Sequence, residues 1–407
     1  MLRTQVSSPP RLWSRDFTLF FAARTVSVFG DQMLVPTTIT VAMLQAGFGV
    51  TGVGYALAAH TAPLALFVIF GGVVADRFTP IRVMVISDAA RLLLHGTLAA
   101  SFAVGKPDLW LILTLLAASG TGTAAFQPGY MSVIPRLAHD VQKANAAIRM
   151  TESLMTVGGP AAAGLLLAFS SVPVVLSIDA ATFAVSGACL LALRLRISRT
   201  DHKGASLRGD LVRGWREFRS RNWLWGVIVI MMLFQVAVNG PFITLGQSLV
   251  TVRHGESTLG FIMSVFGLGS VLGGLMASRI KPAYPLRSGA LALVFALFSV
   301  LVVALDLPPL LIAAGFFLQG AGSAFWLVMF HTSVQTHVAA DVLGRVHAYD
   351  VAGSLVMKPV GQMAAGPASL WVGAVTVLFF SSAMLMVTVV LLLAVPAIRN
   401  LRRADGL

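Results

Sequence analysis

A chain of 407 residues that is 57% hydrophobic and only 11% charged has more apolar surface than a soluble core of that length can bury, so it is read as a membrane protein. Its apolar residues form long continuous runs, where an outer-membrane barrel would show segments of about ten residues with alternating polarity. The net charge of +13 points to no nucleic-acid partner, because the basic residues are sorted by loop.

Twelve runs approach the roughly 20 apolar residues that cross a bilayer: 17–44, 50–75, 83–103, 109–134, 144–169, 172–193, 224–250, 259–280, 286–305, 307–332, 346–367 and 371–394. They predict an all-α polytopic membrane protein of twelve transmembrane helices. Residues 1–193 and 224–407 would form two six-helix bundles joined by the basic stretch 194–223. The first run exceeds a signal-peptide core and is expected to remain as a span. With the N-terminus in the cytosol, only Lys106 and Arg253 fall on the opposite side, while Arg24, Arg91, Arg149 and Lys358 fall inside spans. Every other Lys and Arg is then cytosolic, which is a topology signal. The expected location is the bacterial cytoplasmic membrane, multi-pass, with both termini in the cytosol.

Charges inside spans are expensive and mark function by default. Asp31 in span one lies about fourteen residues, roughly 21 Å, from the cytosolic end, near the bilayer midplane. Lys358 in span eleven lies at the same height in the other half; the two are candidates for proton coupling if they approach in one conformation, the alternatives being a permanent ion pair that neutralises both or a different partner for Lys358. Arg24, Asp88, Arg91, Arg149, Glu152 and Asp350 each lie about two turns from the cytosolic end. They are expected to form a charge network near the cytosolic gate, with Glu152 a further coupling candidate. Asp179 in span six sits a similar depth from the outer face and is another. Softer candidates for a mostly aromatic cavity are Tyr55, His60, Gln127, Phe234, Gln235, Asn239, Phe242, Phe325, Trp326, Phe330 and His331. The single cysteine, Cys189, falls inside span six and reads as a packing residue.

Span two ends in GGVVADRFTP (Gly71 to Pro80), and span eight ends in GGLMASRIKP (Gly273 to Pro282). The echo continues: GTGTAAF at Gly120 with GAGSAF at Gly320, His139-Asp140-Val141 with Ala340-Asp341-Val342, and Pro36, Ile39, Thr40 with Pro241, Ile243, Thr244. One six-span unit is written twice. Six being even, the copies are parallel repeats about an axis along the membrane normal. In the joining stretch, Leu207, Leu211, Trp215 and Phe218 share a helical face opposite several arginines, which predicts an interfacial helix on anionic lipid.

Twelve spans in two parallel halves with G-x-x-x-D-R after span two resemble the major facilitator superfamily over essentially the whole chain. The motif is carried by Gly72, Asp76, Arg77 and Arg82; Thr79 stands where a glycine is usual, Pro80-Ile81 interrupts the basic run, and Ser278 replaces the acid in the second copy. The resemblance implies that Asp76 caps a helix end of the opposite half in one conformation only. Gly158, Gly159, Pro160 and Gly164 in span five are similar to the tail of the antiporter motif of that superfamily. ARTVSVFGD, ISDAARLL and IDAATFAVS, in spans one, three and six, are similar to its macrolide-efflux and enterobactin-exporter-like branch.

The reading that follows is a monomeric secondary transporter exporting amphipathic small molecules by proton antiport, with protons, substrate and anionic lipids as partners and with no cofactor, metal or catalytic residue. No phosphate-binding G-x-x-x-x-G-K-[ST] loop occurs, so ATP is not its direct energy source. An importer or lipid translocator on the same fold is the alternative. A polytopic enzyme is a remote one, resting on His331, His337, His347 and the His337-x-x-x-Asp341 spacing.

Overall fold

The computed structural model describes residues 13–77, 79–138, 141–193, 219–338, 353 and 356–403. The helices are α1 (Arg15–Gln45), α2 (Gly49–Arg77), α3 (Pro80–Val104), α4 (Leu109–Leu137), α5 (Val141–Phe169), α6 (Val172–Leu191), α7 (Asn222–His254), α8 (Glu256–Arg279), α9 (Pro285–Ala304), α10 (Pro309–His337), α11 (Lys358–Val372) and α12 (Ala374–Ala394). Among the described residues there is no strand, and 11 helices are long and apolar enough to cross a membrane. The exception is α11, described over 15 residues only. The joining stretch lies outside the described residues up to Arg219, as does Asp350.

Local chemistry sets the helix ends. The Ser14 side chain accepts from the Phe17 N–H at 3.2 Å, and α3, α9 and α10 begin on Pro80, Pro285 and Pro309, where a missing N–H costs nothing. Gly255 and Gly373, at φ +87° and +86°, allow α7 to turn into α8 and α11 into α12 without a longer loop. Trp13 and Trp225 are exposed near helix starts at the end that holds the chain termini, and Trp110 and Trp371 at the far end. Such girdles suit indole at membrane–water boundaries. Between them the surface carries Leu93, Leu165, Leu268, Phe298 and Val390, all exposed.

The buried clusters separate by sequence. The fully buried members of two lie between Phe17 and Leu190 and those of three between Trp223 and Ile398, with half-buried Ile243 packed on one of the former and Val50 on one of the latter. Between the two sets, α2 packs on α11 and α5 on α8. Glycines permit both crossings: a Cβ on Gly164 would stand 2.4 Å from the Gly260 Cα, one on Gly366 2.4 Å from the Thr51 Cα, and one on Gly54 2.3 Å from the Gln362 carbonyl oxygen. Gln45 Nε2 donates to Glu256 at 2.7 Å at the same end. Among the described residues these contacts run from mid-height to the far end, so the far end is sealed.

Substitution of Gly164 by leucine is expected to wedge α5 from α8 and hold that end open. Labelling of Thr51→Cys in a Cys189→Ala background should then be several-fold faster than with Gly164 intact; unchanged labelling would show that this crossing does not close the far end.

Candidate functional site

The repeated Pro-Ile-Thr echo has a structural counterpart. In α1 the helix breaks at Leu34–Thr38, where Val35 adopts φ −109°, ψ 124° and Pro36 has no N–H to donate. In α7 two wide π-type turns, Gln235–Asn239 and Phe242–Gly246, flank Pro241. Such turns free backbone groups and cluster at functional sites. Both disturbed stretches face a cavity of about 170 Å³ between the two sets of helices.

Its lining alternates amides with aromatic and thioether surface: Gln32, Pro36, Thr156 and Pro160 from α1 and α5; Asn239, Phe242, Ile243 and Gln247 from α7; Met263, Phe266, Phe316 and Gln319 from α8 and α10. No charged side chain is among them. Gln32 Nε2 donates to Thr156 Oγ1 at 3.0 Å, and Asn239 Nδ2 to Gln235 Oε1 at 2.6 Å. The Gln319 Oε1 is buried with no hydrogen-bond partner, an acceptor that a donor entering the cavity would satisfy. Gly159 sits against Gln32, where a Cβ would stand 2.5 Å from the Gln32 Cβ, so this glycine lets α5 press on the α1 break. Pro160 lines the cavity and Gly164 makes the crossing described above, while Gly158 faces open space.

Beside the cavity, α1, α3, α4 and α6 enclose a polar cluster. Arg91, almost wholly buried, donates to Asp31 and lies 3.6 Å from Asp88, with its guanidinium 3.8 Å over the Phe183 ring. Ser186 donates to Asp88 at 2.6 Å. One turn further along α3, His95 Nδ1 lies 2.5 Å from Asp179 Oδ2 and its Nε2 lies 2.6 Å from Ser119 Oγ. Asp31 is the accessible member, its side chain 27% exposed, and it neighbours cavity-lining Gln32. A second pair, Arg24 with Glu152 at 2.6 Å, lies towards the terminus end, with Arg24 over Tyr130 at 4.3 Å.

Several sequence expectations change. In this structure the partner of Asp31 is Arg91, and Lys358 has no carboxylate partner among the described residues. Lys358 is the first described residue of α11, and His60 of α2 is buried. Since α3 starts at Pro80, Arg91 is the twelfth of its 25 residues and sits at mid-helix. The expected single network is two separate ones, because Arg24 turns to Glu152 on α5. Asp179 is fully buried against His95.

Among the aromatic candidates, Phe242 lines the cavity against Phe316. Trp326 and Phe330 lie instead in the apolar core with Trp223, Leu224 and Leu392, and His331 packs on Phe330. Phe234 packs beside Ala237 and Leu385. Tyr55, Gln127 and Phe325 are half-buried away from the cavity lining. Arg82 is exposed at the terminus end. The side chains of Gly72, Asp76, Arg77 and Arg149 lie outside the described residues, as do His347 and Asp341, and His337 Nδ1 bonds the Ser333 carbonyl of its own helix at 2.9 Å. His95, Ser119, Gln32, Gln247 and Gln319 were not foreseen. The signal for His95 was its spacing: Asp88, Arg91 and His95 share one face of α3 at i, i+3 and i+7.

The family model described as Major Facilitator Superfamily matches residues 20–357. The chain is 24% identical over 276 residues to the uncharacterised MFS-type transporter YvqJ of Bacillus subtilis (strain 168), covering 62% of this chain and 65% of that protein, just under two thirds of its length. It is 24% identical over 319 residues to macrolide efflux protein A of Enterococcus faecalis, covering 74% of this chain and 95% of that protein. The fold matches the crystal structure of nucleoside transporter NupG with a TM-score of 0.75 at 12% identity, over 92% of this chain and 97% of that one.

Proposed function

The chain belongs to the Major Facilitator Superfamily and is a membrane transporter, not an enzyme, and from this premise we propose that it exports amphipathic small molecules by proton antiport. One observation carries the reading: an uncharged cavity of amides, aromatics and Met263 between the two sets of helices lies beside an ionisable pair, Asp31 and Arg91, whose acid is the accessible partner. The cavity suits a solute with a large apolar face and a few hydrogen-bonding groups. The acid supplies a group that titrates when its surroundings change. Similarity to macrolide efflux protein A supports the outward direction.

In the proposed cycle both termini are cytosolic, residues 1–193 and 224–407 rock as two units, and the chain works as a monomer. The sealed far end then corresponds to a state receiving substrate from the cytosol. When the halves separate there, the cavity opens outward, and Asp31 takes up a proton from that side as the solute leaves. Arg91 stays in contact with Asp31 while substrate loads.

The test is transport in everted membrane vesicles against a panel of cationic, neutral and anionic compounds, with and without a pH gradient. Neutral or weakly basic amphiphiles should accumulate only with the gradient. Movement in the opposite direction would replace export by import, and movement indifferent to the gradient would remove the antiport.

Cavity variants should separate recognition from coupling. Gln319→Leu is expected to raise the apparent KM about tenfold or more, since a buried acceptor is lost, while the dependence on the gradient stays. A change in the gradient dependence without a change in KM would place Gln319 outside the solute site.

A further inference from the structure

The His95, Asp179 and Ser119 cluster is not needed to bind a solute, because all three are almost completely buried and none lines the cavity. We propose that it is a proton-holding site, coupled to Asp31 through the packing of α1 on α6, and that it stores the proton that antiport moves. The proposal rests on the antiport reading above and names the place of its proton.

The geometry suits one added proton without displacement of a heavy atom. In the neutral imidazole the Nδ1–H donates to Asp179, and the Ser119 hydroxyl donates to Nε2. In the imidazolium the Nδ1–H still donates to Asp179, and the Nε2–H donates to the Ser119 oxygen, whose hydroxyl has turned. The balance is simple: the proton arrives on Nε2 and leaves from it, and no bond between heavy atoms changes. The three-group line resembles an acyl-transfer triad, but with Ser119 fully buried no carbonyl could reach it.

Charge balance gives the site a reason to bind protons. The groups facing it are Asp31 from α1, His60 from α2, Asp88 and Arg91 from α3 and Asp179 from α6. Across the wider polar cluster of α1, α3, α4 and α6, the three carboxyl groups of Asp31, Asp88 and Asp179 are set against the one guanidinium of Arg91. Burial of these side chains penalises that imbalance, and a proton on His95 reduces it.

The link to transport is Gly30. A Cβ there would stand 2.6 Å from Asp179 Oδ1 and 2.2 Å from Thr182 Oγ1, so the α1 backbone lies directly on the carboxylate, one residue before Asp31. That Oδ1 is buried without a hydrogen-bond partner. Any motion of α1, whose break at Pro36 lines the cavity, therefore uncovers Asp179 and changes its hold on the proton.

The experiment uses the full chain reconstituted in lipid. Infrared difference spectra between mildly acidic and mildly alkaline buffer should show an imidazole change and a linked carboxylate shift. Both should vanish in His95→Gln, and the imidazole change should move to a different pH in Asp179→Asn and in Ser119→Ala, the milder variant that tests the site if Asp179→Asn does not fold. In transport, His95→Gln should lower gradient-driven flux by more than about tenfold, while exchange of labelled for unlabelled compound at equal pH stays near wild type. Equal loss of both fluxes, or wild-type spectra in His95→Gln, would make the cluster a structural strut and overturn the proposal. Wild-type flux indifferent to the gradient, with the infrared signature present, would overturn the antiport reading while leaving the proton site standing.

Discussion

Asp31→Asn is expected to lower gradient-driven transport by at least about a hundredfold, the range spanned by loss of a titrating group in proton transfer, while the protein still folds and inserts. The amide keeps the shape of the side chain and can still accept from Arg91, but it cannot ionise. Folding survives because Arg91 retains Asp88 at 3.6 Å and the Phe183 ring at 3.8 Å, so its charge is not left alone. Exchange at equal pH, which needs no net proton movement, should remain. The measurement is gradient-driven accumulation and exchange side by side in the same vesicles. Intact accumulation would take Asp31 out of the coupling and leave the buried His95 cluster as its sole seat.

The spans and the duplication were legible because they follow from length, apolarity and repeated motifs; the breaks in α1 and α7 were not read from the sequence, where Pro36 and Pro241 served only as an echo between the halves. Pairing was less legible. Counting residues from a helix end gives height and not azimuth: the count sets Asp31 and Lys358 at one height but does not reveal that Asp31 turns to Arg91 on α3. The start of α3 at Pro80 puts Arg91 at mid-helix, within reach of Asp31 and Asp88. His95 escaped notice because a search for intramembrane charges passes over a neutral imidazole. The cavity amides are single polar residues in apolar runs, and only the packing of α1 on α5 and of α7 on α8 brings them together. In α10 the aromatic residues are spread around the helix, and nothing in the sequence distinguishes Phe316 on the cavity from Trp326 and Phe330 in the core.

Arg91→Ala is expected to be the most destabilising of these substitutions, by about 3–5 kcal/mol, the usual cost of removing one partner of a buried ion pair. It would leave Asp88 and Asp179 fully buried with no permanent cation in the cluster, and would empty the space above Phe183. Arg91→Lys should fall between, since an ammonium cannot reach two carboxylates and lie flat on a ring at once. Thermal unfolding in detergent, with expression level as a second readout, gives the order. A double-mutant cycle assigns the partner: Asp31→Asn with Arg91→Met should show a coupling of about 1–3 kcal/mol, because the two side chains are in direct contact and either single change already removes the interaction they share. The corresponding cycle of Asp31→Asn with Lys358→Met should be additive to within about 0.5 kcal/mol, as the structure pairs Asp31 with Arg91 and gives Lys358 no carboxylate among the described residues. Coupling in the Lys358 cycle without coupling in the Arg91 cycle would mean that the acid's working partner sits on the opposite half. The proton would then be gated by approach of the halves instead of by the lean of α1 on α6.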